Sequence, residues 1–186
     1  MANWLLPDYI FKTYRDVTPE FLSSIGIKAL LIDIDNTLAP YEMPEPDDSI
    51  RAWFKSLADS DIKATLVSNN DRERVELFNA TLGLPAYYKS GKPFAKNLKR
   101  AMADMGSDKS NTAMLGDQLL TDAAAGKHIG LRTLIVPPIH DKSNAFFRSK
   151  RAMEVRHIKK YVKLHGGDSA EICSFWIAKK YKKNNG

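Results

Sequence analysis

Cysteine is almost absent from this chain: its 186 residues hold one, Cys173. A lone cysteine excludes an intrachain disulfide, so nothing in the sequence asks for an oxidising compartment. Cysteine-based phosphate chemistry is excluded as well. The stretch Cys173-Ser174-Phe175-Trp176-Ile177-Ala178-Lys179 lacks the arginine and the Gly-rich cradle that such a nucleophile needs. Cys173 is expected to be a small buried apolar residue. Long hydrophobic runs are missing too. No run exceeds that of Ala29 to Ile32, which stops at Asp33, far short of the ~20 apolar residues of a membrane-spanning helix. Trp4-Leu5-Leu6 is broken at once by Pro7-Asp8 and has no basic leader, unlike a secretory signal. The expected location is the cytoplasm, with a peripheral membrane contact left open. His128, His140, His157 and His165 are scattered without metal-ligand spacing. His140 alone, just after the last apolar run, is placed to edge a site.

What is present is an ordinary globular composition, 44% apolar and 10% aromatic, at a length that suits one domain. The charge is unevenly placed. Residues 142–186 carry 12 Lys+Arg against 3 Asp+Glu, while residues 1–141 carry 16 against 19. The net +6 thus belongs to the tail, and the body is slightly acidic. Three regions follow. Residues 1–25 form an aromatic segment (Trp4, Tyr9, Phe11, Tyr14, Phe21) expected to pack on the core. Residues 26–140 form the central domain. Residues 141–186 form a basic helical tail, with Met153, Val155, Ile158, Tyr161, Val162 and Leu164 at helical spacing. Two readings of that tail stay open: packing on the sheet, or lying on an anionic membrane surface as a basic amphipathic helix. No nucleic-acid-binding motif accompanies the charge, which argues against nucleic acid as a partner.

Within the central domain, apolar runs alternate with amphipathic stretches. Strands are expected at Lys28–Ile34, Lys63–Ser68, Thr112–Asp117 and Arg132–Val136. Helices are expected at Asp48–Leu57, Asp71–Leu82, Phe94–Met105 and Thr121–His128, stopped near Gly83, Gly106 and Gly130. Such alternation implies a parallel α/β sheet with helices on both faces. In such sheets ligands bind beyond the carboxyl ends of the strands. Asp33, Asp35, Ser68 and Asp117 each follow an apolar run there.

Asp33-Ile34-Asp35-Asn36-Thr37 puts two carboxylates at the end of a buried strand, a costly place for charge without a cation or a hydrogen-bond network. One aspartate could attack phosphorus, and its neighbour could protonate the leaving oxygen and then activate water. A turn or helix cap is the bland alternative. Ser68-Asn69-Asn70 offers a hydroxyl and turn amides for phosphate oxygens, although the same residues are common turn formers. Lys92, in Gly91-Lys92-Pro93, could neutralise a phosphoryl group, or be a solvated surface lysine. Gly116-Asp117-Gln118-Leu119-Leu120-Thr121-Asp122 supplies two more carboxylates, suited to magnesium or to capping a helix.

Taken in order, Asp-x-Asp-x-Thr, Ser, Lys-Pro and Gly-Asp-x-x-x-x-Asp resemble the four motifs of the haloacid dehalogenase (HAD) superfamily. The resemblance implies a Rossmann-like three-layer α/β/α fold. Asp33 would be nucleophile and magnesium ligand. Asp35 would be general acid/base and lend its main-chain carbonyl to the metal. Thr37 would steady the loop beside the phosphate. Ser68, Asn69 and Lys92 would bind the phosphoryl group, and Asp117, supported by Asp122, would complete the Mg2+ site. An aspartate at the position of Asp35 favours phosphatases. Leu6-Pro7-Asp8-Tyr9, Asp16-Val17-Thr18-Pro19, Gly26-Ile27-Lys28-Ala29-Leu30 and Asp35-Asn36-Thr37-Leu38 are similar to the YqeG branch of type IIIA phosphatases. The similarity runs from about Leu5 to Val136. That branch is related to mitochondrial phosphatidylglycerophosphate phosphatase, which implies a lipid head-group phosphate as substrate.

Spacing adds a reading of its own. Thr37 to Thr65 holds a loop and one helix, and Ser68 to Lys92 one helix and a connection, so neither gap accommodates a sizeable cap domain. An uncovered site admits bulky substrates. The alternatives are a nucleotidase or protein phosphatase on the same machinery, or a non-catalytic binding protein using its basic tail.

Overall fold

The computed structural model describes residues 5–140, 145–166 and 173, with side chains in the last helix from Met153 onward. Trp4 and the Lys179–Gly186 end lie outside the described residues. The elements are β1 (Tyr9–Ile10), a 3-10 turn (Tyr14–Asp16), α1 (Pro19–Ser24), β2 (Ala29–Ile32), α2 (Asp48–Asp59), β3 (Lys63–Val67), α3 (Arg72–Asn79), β4 (Ala86–Tyr87), α4 (Lys96–Met105), β5 (Thr112–Gly116), a π-helical segment (Leu119–Ala123), α5 (Ala124–His128), β6 (Arg132–Ile135) and α6 (Ala145–His165). The strands form one six-stranded sheet in the order β1-β6-β5-β2-β3-β4, and every pair is parallel.

Alternation along β2 builds the three layers. Leu30 and Ile32 point to one face and pack with Ile50, Trp53, Phe54 and Leu57 of α2 and with Val75 and Phe78 of α3. Ala29 and Leu31 point to the other and meet Leu98, Ala101 and Met105 of α4 and Ala125 of α5. All four β2 residues are buried, because a central parallel strand is covered on both sides. Each fully buried Leu or Ile contributes roughly 1.5–3 kcal/mol relative to an exposed one. Register then sets the site. Ile32 lies opposite Leu66 on β3 and Leu115 on β5, so the residues that follow these strands emerge at one level of one edge.

The expected helices and strands differ from the observed ones at their ends. The helix expected over Asp71–Leu82 stops at Asn79, whose side chain bonds both the N–H and the carbonyl of Leu84 and turns the chain. The helix expected from Phe94 starts at Lys96, because Phe94 N–H closes a turn on Gly91. The stretch from Thr121 to His128 is not one α-helix; a π-helical turn precedes α5. Elements too short to show periodicity, β1, α1 and β4, extend the expected architecture.

In the N-terminal segment, Phe21 meets Tyr9 and Phe11 edge-on at 5.1 and 5.0 Å between ring centroids. Trp53 of α2 donates its Nε1 proton to Val17 O at 3.0 Å, tying the segment to the domain. At the other end of the chain, Ile158 and Tyr161 of α6 are buried with Ile10, Leu119, Ala123, Ile135 and Cys173. Burial pushes the Cys173 thiol up to about 11, which suits an inert packing residue. The residues Arg156, Lys159, Lys160 and Lys163 stay exposed. No helix among the described residues is long and apolar enough to cross a membrane.

Candidate active site

The sheet brings Asp33, Ser68 and Asp117 to one edge, and the β4–α4 loop adds Lys92. Asp33 N–H bonds Leu115 O at 2.9 Å, continuing the β2–β5 ladder, and Ser68 N–H bonds Tyr87 O at 2.9 Å. Just beyond β2 the chain turns sharply. Leu38 N–H returns to Ile34 O at 2.9 Å, and Asn36 adopts the left-handed region at φ 65, which asparagine tolerates better than most residues. This turn points Asp33 inward and Asp35 outward.

Lys92 is the hub of the inner part. Its ammonium donates to Asp33 Oδ1 at 2.6 Å and to Val67 O at 2.8 Å, and forms an ion pair with Asp122 Oδ1 at 2.7 Å. Its side chain is 2% exposed. Burial alone would push the ammonium down, but the charges of Asp122 and Asp33 outweigh it and hold the group above its ordinary range. Asn69 braces the loop that carries it. Asn69 Oδ1 accepts from Lys92 N–H at 2.9 Å and Ser90 Oγ at 2.8 Å, and Asn69 Nδ2 donates to Lys92 O at 2.9 Å. The amide expected to face a phosphate thus holds the lysine. Thr37 Oγ1 donates to Asp33 Oδ2 at 3.0 Å. Ser68 is buried beside them, and its Oγ accepts from Asn70 N–H at 3.0 Å.

Asp117 and Asp122 are each 1% exposed. The Asp122 Oδ2 atom accepts from Gln118 N–H at 3.1 Å and Thr121 Oγ1 at 3.2 Å, closing the loop between them. That carboxylate lies directly over Gly116. A Cβ on Gly116 would stand 2.3 Å from Asp122 Cγ, so no other residue fits there without displacing it. From behind, Glu154 of α6, itself buried, accepts from Leu119 N–H at 2.9 Å and fixes the same loop.

Carboxylate oxygens of Asp33, Asp117 and Asp122 lie within 4.8 Å of one another, all buried. Three carboxylates against one ammonium leave excess negative charge in a place where charge is costly. Burial is the main reason the Asp33 carboxyl is raised to about 7; Lys92 pulls it down and Asp122 pushes it up. A divalent cation fits this donor set by charge and by ligand type.

Asp35 stands apart from this cluster. Its Oδ2 accepts from Asn70 Nδ2 at 2.7 Å, and its Oδ1 accepts from Arg74 Nε at 3.1 Å. His140 N–H reaches Asn36 Oδ1 at 3.1 Å, and its ring lies 3.6 Å from Glu42 on an exposed rim. The sequence reading did not single out Arg74, Ser90 or Glu154, and placed Asn70 only in a turn facing phosphate, whereas its side chain holds Asp35. Arg74 sits one turn before the buried Phe78 and beside the buried Val75, so it flanks the inward face of α3.

A parallel α/β sheet without a sizeable cap, ending in paired aspartates, a buried lysine and an acidic loop, defines a hydrolase of the HAD class. The HAD-hydrolase-like family model matches residues 89–138, the stretch that carries Lys92, Asp117 and Asp122. The chain is 36% identical over 156 residues to the probable phosphatase YqeG of Bacillus subtilis (strain 168), covering 84% of this chain and 91% of that protein. It therefore belongs to the YqeG family of HAD-type phosphatases. Phosphatidylglycerophosphate phosphatase 1, chloroplastic/mitochondrial, of Arabidopsis thaliana is 26% identical over 171 residues, covering 87% of this chain and 49% of that protein. The chain thus spans about half the length of this plant relative. Among solved structures, a putative 3-deoxy-D-manno-octulosonate 8-phosphate phosphatase from Vibrio cholerae shares the fold. The TM-score is 0.52 at 17% identity, over 65% of this chain and 73% of that one.

Proposed function

We propose that this phosphatase hydrolyses phosphate monoesters through a phospho-aspartate on Asp33, with magnesium in the site. The observation that carries the proposal is the buried triad in which Lys92 bridges Asp33 and Asp122 beside Asp117. An Asp33 oxygen attacks phosphorus, the ester P–O bond breaks, and the leaving oxygen takes a proton from Asp35. Water then attacks the phospho-aspartate while Asp35 takes its proton back, releasing inorganic phosphate and restoring the Asp33 carboxylate. Lys92 and Ser68 hold the phosphoryl oxygens, Thr37 keeps the Asp33 carboxylate from rotating, and Asn69 keeps Lys92 in place. Asp33, Asp117 and the main-chain carbonyl of Asp35 would hold Mg2+, with Asp122 behind them. When bound, the ion offsets charge on the transferring group.

The substrate is proposed to be bulky, such as phosphatidylglycerophosphate. Two points support this. Only α2 lies between Thr37 and β3, and only α3 and β4 lie between Ser68 and Lys92, so among the described residues neither insertion point carries a cap domain. Relatives named for phosphatidylglycerophosphate match over 87% and 76% of this chain. An anionic membrane would be met by the exposed basic residues of α6, since Ile158 and Tyr161 face the domain. The test is magnesium-dependent hydrolysis of 4-nitrophenyl phosphate, phosphatidylglycerophosphate and small sugar phosphates by wild type and Asp33→Asn. The proposal expects loss of activity in Asp33→Asn by about 10⁴-fold or more and preference for the phospholipid. Equal rates in the two proteins would remove the covalent route; preference for sugar phosphates would remove the bulky substrate.

A further inference from the structure

Two carboxylates two residues apart in one turn have been separated into different donor sets. Asp33 is served by Lys92 and Thr37. Asp35 is served from α3 and the turn that leads into it. Arg74 directs two nitrogens at the single oxygen Oδ1, Nε at 3.1 Å and Nη2 at 3.0 Å, and Asn70 takes Oδ2. The Nη2 contact is an ion pair bent too far for a hydrogen bond.

Arg74 is itself held on several sides. Its Nη1 donates to Pro44 O at 3.3 Å. Its guanidinium lies 5.2 Å from the centre of the Phe78 ring and 5.7 Å from that of Tyr41. The pair is 10% and 15% exposed at Arg74 and Asp35, respectively. Arginine suits such a place because its charge is permanent, its plane stacks on rings, and it has no acceptor that could take a proton from its partner. A lysine would give a point charge and leave Asp35 free to turn.

We infer that Arg74 is a positioning residue for the phosphatase reaction: with Asn70 it fixes the Asp35 carboxylate on the leaving-group side of the site. Within the turn itself, Asn36 Oδ1 accepts from His140 N–H and Thr37 Oγ1 donates to Asp33, so among the described residues the side-chain hydrogen bonds to Asp35 come from Asn70 and Arg74. Orientation must therefore come from outside, and α3 supplies it. Each oxygen of Asp35 keeps one lone pair when a single donor direction is occupied, so proton exchange with the substrate stays open while rotation does not. A carboxylate already set in place avoids an ordering cost at each turnover.

This inference rests on the phospho-aspartate reading, and its test separates the two. The variants are Arg74→Met, Arg74→Lys, Asp35→Asn and the double Arg74→Met/Asp35→Asn. The probes are phenyl phosphate, whose leaving group needs a proton, and 2,4-dinitrophenyl phosphate, whose leaving group departs unaided. Arg74→Met should lower kcat/KM about 10–100-fold for phenyl phosphate and less than about threefold for the dinitrophenyl ester, whose departure needs little acid help. Arg74→Lys should fall between wild type and Arg74→Met on phenyl phosphate. In the Asp35→Asn background, Arg74→Met should cost nothing further, because the group it positions is gone. Equal losses on both esters, or full additivity with Asp35→Asn, would assign Arg74 to substrate contact or to folding and overturn the inference. Melting temperatures of the four variants, read in parallel, show whether an even loss comes from unfolding. Wild-type rates in Asp33→Asn would remove both the covalent reading and this inference. An inactive Asp33→Asn with an even Arg74 loss removes the inference alone.

Discussion

The inner wall of the site and its outer rim begin two residues apart, at Asp33 and Asp35, and are built by opposite means. Inside, a single ammonium with 2% exposure meets two carboxylates, and a third carboxylate is buried beside them. Outside, a guanidinium lies among rings and amides at the surface, while His140 and Glu42 are 64% and 75% exposed in their side chains. The wall concentrates charge where water cannot screen it. The rim places single charges where water and neighbours share the work. Interactions in the wall should therefore be strong, cation-dependent and intolerant of change, and those at the outermost rim weak.

The largest expected effect comes from breaking the wall. Lys92→Met strands Asp33 and Asp122 against each other. Activity on 4-nitrophenyl phosphate should fall about 10²–10³-fold, the usual loss when a preorganised charge partner is removed. In the presence of a chelator, urea unfolding should show a loss of about 3–5 kcal/mol, as for a buried pair left with one member. A fully active Lys92→Met would mean that the wall and the rim do not differ in kind.

A smaller effect is the dependence of stability on pH. With its carboxyl raised from 3.8 to about 7 by burial, Asp33 keeps its proton in the folded, metal-free protein while the unfolded chain releases it. The unfolded state then binds fewer protons, so this contribution to stability is full below the ordinary value and declines as pH rises to about 7. Wild type in chelator should lose stability relative to Asp33→Asn across that window. Added Mg2+ should abolish the difference. Parallel curves for the two proteins in chelator would place Asp33 outside the dry part of the site.

The smallest effect is expected at the far rim. His140→Ala removes an exposed ring facing an exposed Glu42, and should change stability by no more than about 0.5 kcal/mol. Turnover of 4-nitrophenyl phosphate should stay within about twofold, as for surface changes away from the reacting atoms. A larger loss would extend the wall outward to Glu42 and sharpen its boundary.

The wall was more legible in the sequence than the rim, for a physical reason. Asp33, Ser68 and Asp117 each end an uninterrupted apolar run, and buried parallel strands leave that signature. Lys92 was legible from its Pro93 neighbour and from its order in the motif. Arg74 was not, because Asp71-Arg72-Glu73-Arg74 reads as a solvated helix start, and only packing separates the exposed Arg72 pair from the shielded Arg74 pair. Asn69 was legible as a site residue, but its attachment to Lys92 depends on a contact across 23 positions. Two-residue strands have no period to read. The π-helical turn over Leu119–Ala123 arises where Asp122 folds back over Gly116, a tertiary constraint with no local sequence signal.

Both outer strands of the sheet, Tyr9–Ile10 and Ala86–Tyr87, are two residues long. They sit at the ends of the strand order and cap the longer strands β6 and β3. A foreign chain seeking to add itself would find only a two-residue strand at either edge, and short edges are one way natural proteins escape fibril growth. A fold that inserts no cap domain can in this way still keep its flanks closed to its own neighbours.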